Sequence, residues 1–106
     1  MEKNYKSKLF KIKTFVFDVD GVLTDGKVLV TTEGEMHRAS DTKDGYAMKY
    51  AMMKGFKIAI ISGGTNEGIR NRFQVLGVKD IYLGAHEKSA AYDELVNNYK
   101  LKPDEI

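Results

Sequence analysis

Two carboxylates one residue apart, Asp18 and Asp20, stand at the end of the apolar run in FVFDVDG, and Gly21 follows them directly. Like charges this close repel each other unless a cation or strong hydrogen-bond donors compensate them. Such a pair indicates a bound metal or a catalytic use, with a solvated loop as the alternative. Oxygen ligands favour a hard ion such as Mg²⁺. An EF-hand calcium loop is excluded, because Leu23 and Leu29 occupy the positions that need glycine and glutamate.

A hydroxyl and two glycines follow a second apolar run, FKIAII, in the segment ISGGTNEG at 61–68. The side chain of Ser62 and the backbone N–H groups of Gly63 and Gly64 can reach a phosphate at a helix N-terminus. The segment is not a Walker A loop, because Ile69 stands where that motif needs lysine. Taken alone, it is also compatible with an ordinary tight turn.

A third polar group, Lys88, follows the run DIYLG and begins the next predicted helix. A lysine at a helix start opposes the helix dipole, which favours contact with a bound anion, although a surface lysine is the alternative. The carboxyl ends of parallel strands meet at one edge of a sheet. Asp18, Asp20, Ser62 and Lys88 together therefore predict a site for Mg²⁺ and a phosphoryl group.

The apolar patterns predict the elements that hold these groups. Three short β-branched and aromatic runs predict strands covered on both faces: 14–19, 56–61 and 80–84. Helical spacing predicts three helices: 44–54, the segment from the N-cap Asn66 to Gly77, and the segment through Tyr92, Leu95 and Tyr99. Residues 27–40 predict a β-hairpin with its turn near Glu33-Gly34. This order predicts one α/β domain with a Rossmann-like, open, mostly parallel sheet, helices on both faces and a hairpin inserted after the first strand.

Composition excludes several classes of function. The net charge of 106 residues is only +2, and five lysines crowd residues 1–13, which we interpret as a solvated arm and not as a nucleic-acid tail. The absence of cysteine excludes disulfides and thiolate chemistry. Short apolar runs predict no membrane span, so we expect a soluble, cytoplasmic protein with no nucleic-acid or membrane partner. His37 and His86 are interpreted as surface residues.

This order of motifs resembles the haloacid dehalogenase superfamily of aspartate-nucleophile phosphatases. DVDGVLTDG is similar to its first motif, Ser62 to the second and Lys88 to the third, and the resemblance covers about residues 13 to 106. The hairpin followed by DTKDGYAMK resembles one branch, the capless 3-deoxy-D-manno-octulosonate 8-phosphate phosphatases and their relatives that act on nine-carbon 2-keto sugar-acid 9-phosphates.

The resemblance implies a Mg²⁺-dependent hydrolase of sugar-acid phosphates that serves lipopolysaccharide biosynthesis. Asp18 would attack phosphorus to form an aspartyl-phosphate, and Asp20 would act as general acid and then as general base. Asp18 and the backbone carbonyl of Asp20 would ligate the metal, while Ser62 and Lys88 would bind phosphoryl oxygens. The resemblance also implies phosphate contacts from three glycines: Gly21, Gly63 and Gly64. Members assemble as homotetramers, so residues 27–40 are the candidate interface, with an intramolecular flap as the alternative.

Two departures from the family pattern matter. Where the family often carries an arginine that binds the substrate carboxylate, this chain has Gly64, and Arg70 and Arg72 are candidate replacements, with plain helix-surface residues as the alternative. A fourth motif, a strand with an acidic pair that completes the metal shell, is expected after KPDEI, yet the sequence ends at Ile106. We therefore expect a truncated chain with an exposed apolar edge, poorly active alone. A non-catalytic oligomerising or regulatory module, or a phosphatase for another small metabolite, remains the alternative.

Overall fold

The central sheet of the computed structural model, which describes residues 9–106, has three parallel strands in the order β1-β4-β5. The strands are, in chain order, β1 (Thr14–Phe17), β2 (Leu29–Val30), β3 (Met36–His37), β4 (Lys57–Ile61) and β5 (Asp80–Tyr82). β2 and β3 form the predicted antiparallel hairpin, in which the amide of Thr31 donates to the carbonyl of Glu35 over 2.9 Å. Gly34 has a φ of +82°, which its turn requires and which glycine adopts without strain.

Within residues 9–106, three complete α-helices connect and cover these strands, and residues 9–11 are also helical. They are α1 (Thr42–Met53), α2 (Glu67–Val75) and α3 (Lys88–Tyr99), and a 3₁₀ turn, Pro103–Glu105, follows. The predicted cap of α2 is confirmed, because the Asn66 side chain accepts the amide of Gly68 over 2.7 Å. α1 begins two residues before its predicted start, because Asp41 caps it by accepting the amide of Lys43 over 2.7 Å. No helix among residues 9–106 is long and apolar enough to cross a membrane.

The core explains why β4 is an uninterrupted apolar run. Ile60 is fully buried and belongs to a cluster with Met48 of α1 and Phe73 of α2. Its neighbour Ile61 points to the opposite face, because side chains alternate along a strand. There it lines a cavity with Tyr92 of α3. Helices therefore cover both faces, and the predicted α/β fold with a mostly parallel sheet and an inserted hairpin is confirmed.

Two predicted strand ends are wrong by two residues. β1 ends at Phe17 and not at Val19, because the Val19 carbonyl accepts the amides of Leu23 and Thr24 and turns the chain away from the sheet. β5 ends at Tyr82 instead of residue 84. Of the predicted lysine-rich arm at 1–13, residues 1–8 lie outside the described part of the chain. In that described part β1 pairs with β4 alone, and Phe15 on it is 39% exposed.

A charged cluster at the amino end of the sheet joins β4, β5 and α3. The Nζ of Lys57 lies 2.6 Å from Oδ2 of Asp80 and 3.5 Å from the centroid of the Tyr99 ring. The hydroxyl of Tyr99 donates to Oδ1 of Asp80 over 2.8 Å, which raises the pKa of the Tyr99 phenol. The side chains of Lys57 and Asp80 are 25% and 13% exposed, so water screens this pair only partly.

Replacing Asp80 by alanine is expected to lower the free energy of unfolding by about 1–3 kcal/mol, because it leaves the Lys57 ammonium and the Tyr99 hydroxyl without their acceptor. Urea unfolding of the purified protein measures the change. The control is Asp104→Ala, which removes an exposed carboxylate and is expected to stay within about 0.5 kcal/mol of the original chain. Equal effects of the two substitutions would show that the cluster does not stabilise the fold.

Candidate active site

A tight turn after β1 places the two carboxylates. Asp18 follows the last residue of β1, and Val19 is buried in the core at 2% exposure. The Val19 carbonyl accepts the amide of Leu23 over 2.8 Å, and the hydroxyl of Thr24 accepts the amide of Gly21 over 3.3 Å. Gly21 has a φ of +78°, a conformation that side chains disfavour, so this glycine lets the chain turn directly after the carboxylates.

Asp18 and Lys88 meet across the carboxyl edge of the sheet. The Nζ of Lys88 lies 2.8 Å from Oδ2 of Asp18, and the amide of Val19 donates to Oδ1 over 2.8 Å. The hydrogen bond from Lys88 holds the pKa of the Asp18 carboxyl below its ordinary value, and partial burial opposes this effect only in part. Asp18 is therefore a carboxylate at neutral pH, the form that a nucleophile requires. The pair also explains why a lysine begins α3.

Ser62 directly follows the neighbouring strand, β4, at the same edge. Because Phe17 pairs with Ile60 in the parallel register, the residues that follow β1 and β4 emerge side by side. The Ser62 hydroxyl accepts the amide of Gly64 over 3.1 Å, so its own hydrogen remains available as a donor. The carbonyl of Gly64 in turn accepts the amide of Gly84 over 2.8 Å, which ties this loop to the loop after β5. Ser62 is only 1% exposed, so almost none of its surface is open to solvent.

Asp20 has a partner that the sequence reasoning missed. Nε of Arg38 lies 2.6 Å from Oδ1 of Asp20, and Nη2 lies 3.3 Å from Oδ2. Arg38 follows β3, so the hairpin delivers it to the site. A basic residue in a hairpin placed over the carboxylates was the only signal that could have suggested the pair. No spacing rule distinguishes it from an ordinary surface arginine.

A cavity of about 380 Å³ lies between the hairpin and α2, beside the Arg38–Asp20 pair. The Asn66 side chain bridges the two elements by donating to the Met36 carbonyl over 3.2 Å. Arg72 lines this cavity together with Arg38. A smaller cavity of about 240 Å³ touches Asp18 and Lys88 from the side of α3.

The two candidate arginines of α2 face different surroundings. Arg70 is held by Glu67 at 3.0 Å and donates to the carbonyl of Ile81 over 3.0 Å, which places it beside β5. These contacts favour a structural role for Arg70, which was predicted to bind substrate. Arg72 instead lines the cavity next to Arg38. The exposed positions of His37 and His86 agree with their interpretation as surface residues.

The oxygen donors at the site suit a hard divalent ion only in part. The Asp18 carboxylate and the Asp20 backbone carbonyl are the groups that would hold it, while both carboxylate oxygens of Asp20 contact Arg38. No group of three or more acidic, histidine or cysteine side chains that could hold a metal occurs among residues 9–106. Mg²⁺ in proteins commonly retains several waters and takes one or two carboxylates together with substrate phosphate. The donor set therefore fits Mg²⁺ when water and phosphate complete the shell.

The sequence and the fold are similar to those of proteins named as octulosonate 8-phosphate phosphatases. No protein-family model matches the chain. It is 30% identical over 100 residues to the 3-deoxy-D-manno-octulosonate 8-phosphate phosphatase KdsC of Escherichia coli (strain K12), a match that covers 94% of this chain and 53% of that protein. The chain therefore spans about half the length of the curated relatives it matches.

Two solved structures extend this likeness. The Moraxella catarrhalis 3-deoxy-D-manno-octulosonate 8-phosphate phosphatase, in complex with a magnesium ion, a phosphate ion and a KDO molecule, has a TM-score of 0.89 at 30% identity, covering 99% of this chain and 60% of that chain. The cobalt-bound form of the Haemophilus influenzae deoxy-D-mannose-octulosonate 8-phosphate phosphatase has a TM-score of 0.86 at 34% identity, covering 92% of this chain and 57% of that chain.

Proposed function

We propose that this chain, which belongs to the haloacid dehalogenase superfamily and is similar to its 3-deoxy-D-manno-octulosonate 8-phosphate phosphatases, carries the nucleophile of a metal-dependent phosphatase for phosphorylated sugar acids. The 2.8 Å contact between Lys88 and Asp18 carries the proposal, because it joins the predicted first and third motifs at one sheet edge. The alternative, a solvated loop that carries acidic residues without a function, does not predict this contact with a lysine from a separate helix.

In the first step, a carboxylate oxygen of Asp18 attacks phosphorus, and the bond from phosphorus to the sugar oxygen breaks. Asp20 gives a proton to that departing oxygen, which leaves as the sugar-acid hydroxyl. The phosphoryl group is then held as an aspartyl-phosphate on Asp18. Lys88 and the hydroxyl of Ser62 lie at the same edge and bind the equatorial oxygens as charge spreads over them.

In the second step, water attacks phosphorus, and Asp20 takes the proton that the water loses. The bond between phosphorus and the Asp18 oxygen breaks, which releases inorganic phosphate and restores the carboxylate. A bound Mg²⁺ would neutralise phosphoryl charge, and the Asp18 carboxylate and the Asp20 carbonyl are the groups that would hold it. The backbone N–H of Gly63 would supply a further donor to the phosphate, whereas the amides of Gly21 and Gly64, also predicted to do so, already bond the hydroxyls of Thr24 and Ser62.

The proposed substrate class rests on the cavity beside the Arg38–Asp20 pair. We propose that the carboxylate of an eight-carbon or nine-carbon 2-keto sugar acid binds near Arg72, which lines the 380 Å³ cavity beside Asp20's partner Arg38. A guanidinium recognises a carboxylate through two parallel hydrogen bonds. The names of the relatives support this class, and Arg72 is a better candidate than Arg70 because Arg70 is engaged beside β5.

The hairpin is the proposed interface of a cytoplasmic homotetramer. Three of its apolar side chains are largely exposed: Leu29 at 68%, Val30 at 62% and Met36 at 45%. A neighbouring copy would cover them, whereas an intramolecular flap would leave them in water. Light scattering that reports the mass of one chain would contradict the tetramer.

Phosphate release tests the proposed function. The substrates are eight-carbon and nine-carbon 2-keto sugar-acid phosphates, and a hexose phosphate without a carboxylate is the comparison. The 106-residue chain is assayed in parallel with any natural continuation that its gene encodes. We expect release that requires Mg²⁺, stops with a chelator and prefers the sugar acids. No release from any of these substrates in either form would overturn the proposal.

Replacing Lys88 by methionine is expected to lower the rate of phosphate release by about 10²–10³-fold, because it removes a positive charge from the phosphoryl group and from Asp18. Lys79→Met, which removes an exposed lysine before β5 at the other end of the sheet, is the control and is expected to stay within about twofold. Full activity in Lys88→Met would show that the contact with Asp18 serves no chemistry.

A further inference from the structure

The ion pair between Arg38 and Asp20 joins the hairpin to the site, and Arg38 is its more buried member. Its side chain is 13% exposed, whereas the Asp20 side chain that it holds is 43% exposed. Both members of the other ion pair in the hairpin, Glu35 with His37, are more than half exposed, at 68% and 52%. The hairpin therefore inserts one guanidinium into the protein, and that guanidinium meets the carboxylate to which the proposed function gives the proton transfers.

We infer that Arg38 is a positioning residue that fixes the orientation of the Asp20 carboxylate for proton transfer. The inference rests on the proposed function, because it concerns how its general acid and base is held. Arg38 touches neither phosphorus nor the departing oxygen in this role. It acts through Asp20.

The two contacts of the pair fix the carboxylate in direction as well as in place. Nε meets Oδ1 at 2.6 Å and Nη2 meets Oδ2 at 3.3 Å, so the planar guanidinium lies along both oxygens. Among residues 9–106, no other side chain bonds these oxygens. Without Arg38 the carboxylate, on an exposed turn, would rotate among its rotamers, and proton transfer depends strongly on the orientation of the acid.

The position of Arg38 is itself fixed by its surroundings. A third nitrogen, Nη1, lies 3.5 Å from the carbonyl of Met36, and Asn66 holds the same carbonyl from α2 at 3.2 Å. A Cβ atom added to Gly64 would lie 3.6 Å from Nη2 of Arg38 and 3.5 Å from Oγ of Ser62. These are ordinary van der Waals distances, so the backbone at Gly64 packs against the guanidinium and the Ser62 hydroxyl.

Arg38 and the departure at position 64 are neighbours in the structure. The family pattern often has an arginine there, and this chain has a glycine with a guanidinium from the hairpin against it. The positive charge reaches the same region from a different element. It is directed at Asp20, and it ties the placement of the hairpin to the placement of that carboxylate.

Steady-state kinetics of Arg38→Met and Arg38→Lys, with a sugar-acid phosphate as substrate, test the inference. We expect Arg38→Met to lower kcat by about 10–100-fold with KM within about threefold, because an interaction used in the transition state is lost. Arg38→Lys is expected to recover only part of kcat, since an ammonium contacts the carboxylate at one point. Glu35→Gln, which breaks the exposed hairpin ion pair, is the control and is expected to keep its activity within twofold.

A double-mutant cycle with Asp20→Asn separates positioning from a general effect on folding. If Arg38 acts through Asp20, Arg38→Met adds no further loss of kcat in the Asp20→Asn background. The inference is overturned if the two substitutions lower kcat independently, so that their fold-losses multiply, or if Arg38→Met raises KM at unchanged kcat. Phosphatase activity of the original chain would still support the proposed function in either case. An original chain that releases no phosphate would instead overturn the proposed function and this role with it. Urea unfolding of each variant shows whether it is folded. If Arg38→Met alone fails to fold, Arg38→Lys becomes the test variant, and full activity of Arg38→Lys would then overturn the inference.

Discussion

Replacing Asp18 by asparagine is expected to lower phosphate release by about four orders of magnitude or more, because no other group at the site can take over as nucleophile. The amide matches the carboxylate in shape and can still accept the Val19 amide, which now bonds Oδ1 over 2.8 Å. It cannot attack phosphorus as an anion, and it leaves Lys88 without its counter-charge. Rapid acid quenching followed by mass spectrometry should find a phosphorylated Asp18 peptide in the original chain and none in the variant.

The control for this substitution lies in the same loop. Asp25→Asn changes a carboxylate that accepts the amide of Lys27 over 2.9 Å and does not touch Lys88. Its activity is expected to remain within about twofold, because this exposed carboxylate contacts neither Lys88 nor Arg38. If Asp18→Asn kept more than about one hundredth of the activity, the nucleophile would have to be a different residue or a water molecule.

Replacing Asp20 by asparagine is expected to lower phosphate release from a sugar-acid phosphate by about 10³-fold, within the range of general acid and base catalysis. The alkoxide of a sugar is a poor leaving group and needs a proton, whereas a nitrophenolate leaves without one. With p-nitrophenyl phosphate the variant should therefore release about one nitrophenolate per site in a fast phase. Slow turnover should follow, because the water that attacks the aspartyl-phosphate still lacks its base.

Rapid-mixing absorbance and quenched phosphate measurements follow these two phases. The phosphorylated form of Asp18 should reach a much higher level in Asp20→Asn than in the original chain, because the second step is slow in the variant. Equal losses in the rate of the first step with the sugar-acid phosphate and with the nitrophenyl ester would contradict an acid role for Asp20. Absence of accumulated phosphoenzyme would contradict its role as base.

The local features of the fold could be read from the sequence because they depend on neighbours in the chain. The apolar run at 56–61 predicts a buried strand, and β4 is that strand. Asn66 predicts the start of α2, since a cap needs only an acceptor side chain and the amides two or three residues later. The hairpin turn at Gly34 follows from the positive φ that glycine adopts freely. Strand ends were less predictable, because the hydrogen bonds to the Val19 carbonyl end β1.

The chemistry of the site was predictable in kind and not in its contacts. The sequence by itself determined that carboxylates, a hydroxyl and a lysine each follow one of three predicted strands, because motif spacing and the order of elements along the chain are properties of the sequence. Only the tertiary structure decided that Lys88 reaches Asp18, that Arg38 holds Asp20, and that Arg70 turns toward β5. Such contacts depend on how far each helix is rotated about its axis and on where the hairpin lies. Packing between elements distant in sequence sets both, and no local pattern records it.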